Sequence, residues 1–158
     1  MDKILLPPEM AAEFQNPKWG AAKLRGIGMF KKFTDSELEQ IYAQGEILSY
    51  KPKSYAVIEG EPSRGLYIIL HGIVGVYKND ISTGSMHRLA FLEAGENFGE
   101  LSLFDIAPRS ATVSAEAICH MFYLDAVVFE QLLDQLGSDA KIRFYRTCAE
   151  DLVNRFRN

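Results

Sequence analysis

The sequence has 158 residues, 47% apolar and 24% charged, with a net charge of −4. That length supports one domain with an adequate core, and the acidic balance argues against a dedicated nucleic-acid surface. No stretch approaches the ~20 apolar residues of a membrane span, MDKILLPPEMAAEF has too short an apolar run for a signal peptide, and two cysteines without CxxC spacing (Cys119, Cys148) read as thiols of a reducing, cytoplasmic compartment.

Residues 1–20 hold three of the six prolines and are expected to form a partly ordered lead-in. Residues 21–44 read as a helical element. Its clearest start is FTDSELEQIYA (33–43), where Thr34 caps, Glu37 reaches back three residues, and Phe33 staples to Leu38. From about Gly45 to Leu124 the pattern changes to short runs rich in Val, Ile, Tyr and Phe. Strands are predicted at 55–59, 65–70, 73–77, 87–92, 110–116 and 118–124, punctuated by EGEPS, HG, KNDISTGS and EAGEN. Such spacing predicts an antiparallel barrel or roll over 45–124.

After Leu124 the periodicity turns helical. Asp125 caps AVVFEQLLDQL, with Leu124 and Phe129 as a second staple. Gly137 ends that helix and Ser138 is expected to cap the next. In the last helix Ile142, Tyr145, Ala149, Leu152 and Phe156 form one apolar stripe. Packing of that stripe on the chain's own roll is favoured over a homodimer formed through it. The whole is mainly β with flanking α: an antiparallel, jelly-roll-like β-roll, an N-terminal helical element, and hinge and lid helices over 125–158.

One stretch within the roll carries chemistry. FGELSLFDIAPRSAT (98–112) sets Glu100 and Arg109 nine residues apart. Gly99 permits close backbone approach, and a single helical turn after it would turn its first amides outward. Arg109 offers a planar, permanently charged fork suited to phosphate, and Ser110 and Ala111 are small enough for their amides to reach the same oxygens. An ionised Glu100 only accepts hydrogen bonds, so it calls for a hydroxyl donor beside that phosphate. A 3′,5′-cyclic nucleotide presents both. The same two residues also read as a first-turn acid and its surface ion-pair partner, and residue physics weighs the two readings equally.

The stretch FGELSLFDIAPRSATVSA (98–115) closely resembles the phosphate-binding cassette of the cyclic nucleotide-binding domain family, in order and in length. GLYIILHGIVGVY (65–77), VIEGE (57–61), GIGMFKKFTDSELEQI (26–41) and FYLDAVVFEQLL (122–133) resemble its flanking elements. The resemblance implies that Glu100 binds the ribose 2′-OH and Arg109 the exocyclic phosphate oxygens. It implies that the amides of Leu101, Ser102 and Ala111 complete the cradle, with Gly99 beside the ribose and the Ser110 hydroxyl on phosphate or base. Val76, Ala90, Leu92 and Phe98 would wall the base pocket, and Leu152, with Val153, Arg155 and Phe156 as rivals, would cover it from the last helix. Serine at 110 resembles bacterial members that bind cAMP, so cAMP is favoured over cGMP. The loop FDIAPR lacks the glycine that many members carry before Pro-Arg.

The sequence holds no Ser-His-Asp, HExxH or P-loop signature. His71, His87 and His120 are scattered along it, unlike the clustered ligands of a metal-binding roll. The expectation is a regulatory domain without catalytic residues, metal or cofactor. It would take a cyclic nucleotide and signal to an effector domain or partner protein. A ligand-independent docking module on the same fold is the alternative.

Overall fold

The computed structural model describes residues 4–157. Five helices, α1 (Pro8–Phe14), α2 (Pro17–Arg25), α3 (Asp35–Ala43), α4 (Ala126–Leu136) and α5 (Ser138–Arg157), flank eight strands. The strands are β1 (Glu46–Tyr50), β2 (Tyr55–Val57), β3 (Gly65–His71), β4 (Ile73–Asn79), β5 (Met86–Glu93), β6 (Asn97–Phe98), β7 (Thr112–Ala115) and β8 (Cys119–Asp125). They form two antiparallel four-stranded sheets, ordered β1-β8-β3-β6 and β2-β7-β4-β5. Two 3-10 turns complete the architecture, Gly28–Phe30 before α3 and Glu100–Leu103 after β6.

The molecule has three layers: helices, the β3-containing sheet, and the second sheet. Strand β3 lies in the middle, which explains its unbroken apolar run. Leu66, Ile68 and Leu70 face the helical layer with Leu24, Phe30, Leu38, Phe129 and Phe144. The alternate residues Tyr67 and Ile69 face the second sheet, against Val74 and Val113, with Met121 of the adjacent β8 beside them. Such burial contributes ~1.5–3 kcal/mol for each large apolar side chain.

The predicted starts of α3 and α4 are present. Thr34 and Glu37 form the capping box, with Oε1 of Glu37 accepting from the Thr34 amide at 2.8 Å. Asp125 accepts from the amides of Val127 and Val128.

Several elements depart from expectation. The described part of the lead-in, from residue 4, carries α1 and the start of α2, which runs across residue 20. Pro8 and Pro17 open helices rather than break them, because a first-turn proline has no intrahelical partner to lose. Strands β1 and β6 are additional; β6 has only two residues, too few for any alternation. Ser138 is the first residue of α5 rather than its cap, and Gly137 alone, at φ +102°, separates α4 from α5. The apolar stripe of α5 does not pack on the roll. Ile142, Tyr145, Leu152 and Phe156 are exposed, while Ala140, Phe144 and Thr147 are buried.

A narrow buried contact and a set of ion pairs hold α5. Arg143 donates to both carboxylate oxygens of Glu37 at 2.7 Å and to the Lys32 carbonyl at 2.6 Å. Lys32 pairs with Glu150 and Lys31 with Asp151. Around these pairs Phe144 stacks on Phe33, ring centroids 5.7 Å apart. Glu37 therefore caps α3 and anchors α5 with one carboxylate. The Arg143 hydrogen bonds, chiefly, hold its carboxyl below the usual carboxylate range.

A lowered folded-state pKa gives stabilisation that is complete at neutral pH and lost as pH falls through that value. Glu37→Ala should cost about 1–2 kcal/mol at pH 7, roughly 2–8 °C of melting temperature. The gap between variant and wild type should begin to narrow only as pH falls below the ordinary glutamate value, and should close as it falls through the lowered value at which the folded Glu37 carboxylate takes up its proton.

Candidate functional site

Gly99, between β6 and the 3-10 turn at Glu100–Leu103, sits at φ +79°, a left-handed conformation. A Cβ there would meet the Gly65 carbonyl oxygen at 2.6 Å and Nη1 of Arg109 at 2.7 Å. Glycine is required on both counts, for backbone freedom and for close approach. The turn that follows brings Glu100 and Leu101 out while Leu103 plugs into the core, 1% exposed.

Arg109 is fixed from several directions. Its amide donates to the Glu61 carbonyl and its own carbonyl accepts from the Gly60 amide, each at 2.8 Å. Nη1 donates to the Gly65 carbonyl at 3.1 Å and to Oγ of Ser102 at 3.2 Å, and Nε donates to Oγ of Ser63 at 3.3 Å. The guanidinium lies 5.9 Å from the Tyr67 ring centre. The side chain is 8% exposed, and every acceptor it uses is neutral. Nη2 is buried and has no hydrogen-bond partner among the described residues. Burial, above all, pushes the Tyr67 phenol above its ordinary value, so that neighbour supplies no negative charge either.

A cavity of about 390 Å³ opens at this group. Its walls include Gly99, Glu100, Leu101, Ser102, Arg109, Ser110 and Ala111, with Val76 and Phe98 from the strands. Nine of the sequence-selected positions thus share one cavity. Val57, Pro108 and Val113 line it as well. Of the remaining three, Ala90 and Leu92 lie on β5, paired with Val76 and Val74. Leu152 lies elsewhere: with Met29, Phe104, Cys148 and Arg155 it lines a separate cleft of about 570 Å³ between α5 and the 3-10 turn. Glu100, Leu101 and Asp105 are common to both spaces.

Ser102 differs from expectation in the atom it offers. Its amide is taken up by the Gly99 carbonyl at 3.1 Å. Its hydroxyl organises the site, accepting from the Gly65 amide at 2.8 Å and from Arg109, with its single hydrogen within reach of the Gly99 carbonyl at 2.7 Å and the Gly65 carbonyl at 3.0 Å. Three supporting residues escaped the sequence reading. Asn97 donates from Nδ2 to Oε2 of Glu100 at 2.7 Å; Ser63 and Gly65 hold Arg109. Asn97 is only three residues from Glu100, but its place on β6 was not predicted. Ser63 and Gly65 lie more than forty residues upstream of Arg109, and nothing local ties them to it.

The glutamate and the arginine do not pair with each other: among the described residues Arg109 has no salt bridge. The ion-pair reading that residue physics left open is therefore the wrong one. One cavity carries an acceptor-only carboxylate, steadied by an amide, and a buried cation with an unused donor. Two of the histidines also come together, His71 and His120, with ring centroids 5.7 Å apart. No third metal-ligating side chain joins them among the described residues.

The model of the cyclic nucleotide-binding domain matches residues 47–136, more than half of the sequence, with the cavity inside it. The chain belongs to the cyclic nucleotide-binding domain family. That family is a regulatory ligand-binding domain. Related proteins include a cAMP-dependent protein kinase regulatory subunit of Hypocrea atroviridis, 29% identical over 137 residues, covering 82% of this chain. A cAMP-activated global transcriptional regulator of Salmonella typhimurium is 33% identical over 123 residues, covering 77% of this chain. The match spans 29% of the first relative's length and 58% of the second's.

Solved structures share the fold. The N-terminal domain of a Streptomyces coelicolor transcriptional regulator superposes with a TM-score of 0.77 at 24% identity, covering 85% of this chain and 93% of that one. The cAMP-complexed regulatory domain of the Toxoplasma gondii kinase gives 0.66 at 22% identity, over 89% and 52%. Among the described residues no helix is long and apolar enough to cross a membrane.

The domain keeps a buried cation that no carboxylate neutralises, an arrangement that costs stability. Replacing it with a linear apolar side chain orphans little, since Ser102 and the Gly65 carbonyl keep each other as partners. Arg109→Met should therefore melt, without added ligand, no more than ~3 °C below wild type, or above it. A fall of ~10 °C or more in calorimetry would make Arg109 a structural residue.

Proposed function

We propose that this chain is a cyclic nucleotide sensor, with cAMP favoured over cGMP, that is not itself an enzyme and acts in the cytoplasm. The observation that carries the reading is Nη2 of Arg109, buried, without a partner, on a cavity that also holds Glu100. A cyclic phosphate supplies the missing acceptor and the compensating charge, in a charge-assisted and geometrically matched contact. The ribose 2′-OH donates to Glu100, whose second oxygen is held by Asn97. Ser110 and the amides of Leu101 and Ala111 complete the phosphate end. Val76 and Phe98 wall the base, with Ala90 and Leu92 beyond them. Relatives that are cAMP-dependent or cAMP-activated, and serine at 110, support adenine over guanine.

The route from ligand to output runs through the turn at Glu100–Leu103. Its closing carbonyls, Ser102 and Leu103, accept from Arg64, which also pairs with Glu130 on α4. Leu103 enters the same core cluster as Phe129 and Phe144. A ligand that tightens this turn pulls on α4, and Gly137 lets α5 swing in response. Leu152, now in the cleft beside Leu101, is on the helix that would travel to cover the base. The shift can be no larger than the ligand's differential affinity for the two arrangements. An effector domain or partner protein reads the position of α5.

Calorimetric titration tests this directly. A Kd for cAMP tighter than roughly 100 µM, and tighter than for cGMP, is expected. Arg109→Met should weaken binding by about 100-fold or more and Glu100→Gln by about tenfold. Heat from neither nucleotide with wild-type protein would leave the domain a ligand-independent docking module.

A further inference from the structure

The exposed stripe of α5 has its own geometry, apart from the nucleotide cavity. Ile142, Tyr145, Ala149, Leu152 and Phe156 repeat at intervals of 3, 4, 3 and 4 residues. This is the seam of a coiled coil, in which alternate turns present a knob to a facing helix. On a helical projection the stripe lies roughly half a turn from Ala140, Phe144 and Thr147, the residues that α5 buries. Ile142 is 54% exposed, Leu152 56% and Phe156 86%, and Tyr145 and Ala149 are also exposed.

From Lys141 onward the unpaired charges bordering the seam are basic. On one side stand Lys141 and Arg155, on the other Arg146; Asp139, in the first turn, precedes the seam. The acids of α5 further along, Glu150 and Asp151, are turned to Lys32 and Lys31 of the N-terminal unit. Lys141 pairs with Asp134, whereas Arg146 and Arg155 enter no salt bridge among the described residues. This stands out in a chain whose net charge is −4. A second copy, parallel or antiparallel, would set these cations against cations, which coiled-coil partners avoid. An anionic bilayer suits basic charge but asks for a broad apolar face, and this seam is widened only at Val153, 49% exposed beside Ala149.

We propose that α5 docks an amphipathic helix of a partner, with an apolar seam facing Ile142, Tyr145, Ala149, Leu152 and Phe156 and acidic residues along both borders. Ala149 and Leu152 also wall the cleft that holds Leu101 and Phe104, so a docked helix would lie against the 3-10 turn.

The test uses the whole chain and two synthetic peptides of about three heptads with identical Ile/Leu seams, one bordered by Glu and one by Lys. Fluorescence anisotropy, without nucleotide, should show binding of the Glu peptide and none of the Lys peptide. Tyr145→Glu should weaken binding on the order of 30-fold, and the Arg146→Glu/Arg155→Glu pair should reverse the peptide preference. Both changes are on exposed positions, and unchanged melting would verify folding. Equal binding of the two peptides, or binding of neither, overturns the proposal. So does a protein that sediments as a dimer and becomes monomeric with Tyr145→Glu, which assigns the face to a second copy. Capture by phosphatidylcholine/phosphatidylserine vesicles with no peptide bound assigns it to a membrane. Because no nucleotide is present, these results stand whether or not cAMP binds.

Discussion

A guanidinium buried among neutral oxygens is the constraint on which the rest of the site depends. Arg109 cannot leave its place, because its backbone is locked to Gly60 and Glu61 and its side chain to Gly65, Ser102 and Ser63. Nor is its charge satisfied there. Those partners saturate Nε and Nη1 and leave Nη2 without an acceptor. Gly99 must be glycine because Gly65 and Arg109 occupy the space a side chain would need. The left-handed residue then sets the direction of the following turn, which places Glu100 on the same cavity. Fixing one cation thus determines the conformation of the loop that carries the anion.

The two charges differ in how they are held, and the difference is chemical. Glu100 keeps water access and one amide partner, so its carboxylate can exchange solvent for a hydroxyl at small cost. Arg109 is desolvated in advance, so most of the expense of stripping water from the cation falls on folding rather than on binding. The proposed ligand anion would meet a donor that is already dry and already aimed. Such pre-organisation is a reason to tolerate an arrangement that a purely structural domain would replace with an apolar side chain.

Much of this was legible from sequence because the relevant signals are local. The capping box needs only four residues, and the six predicted strands announce themselves by runs rich in Val, Ile, Tyr and Phe set between turn residues. The 98–112 stretch carries its own glycine, acid and arginine. What was hidden needs contacts between distant segments, or a choice between equivalent local patterns. Pro8 and Pro17 are breakers inside a helix and good openers at its first turn, and only the fold decides which. The α5 stripe failed for a different reason. Apolar periodicity identifies a face that avoids water, not the surface that covers it. The side actually buried, Ala140, Phe144 and Thr147, is narrow and partly polar, and the periodic pattern does not pick it out. Ion pairs from Glu37, Lys31 and Lys32 fix the orientation from residues more than a hundred positions away.

That mode of attachment bears on what α5 can do. A helix held by a broad apolar interface moves only by opening a cavity, which costs several kcal/mol. One held near a single phenylalanine cluster and three ion pairs with partial solvent access gives up far less when it shifts, since such pairs are individually weak. Arg143–Glu37, the least exposed of them, lies in the first half of α5, near the Gly137 joint, whereas the pairs of Glu150 and Asp151 lie farther along. The distal half can therefore detach while the proximal half stays anchored, and its exposed apolar seam travels with it. On the proposed mechanism the same weakness of attachment would free α5 to follow the cassette, and it would leave the seam available to the proposed partner helix.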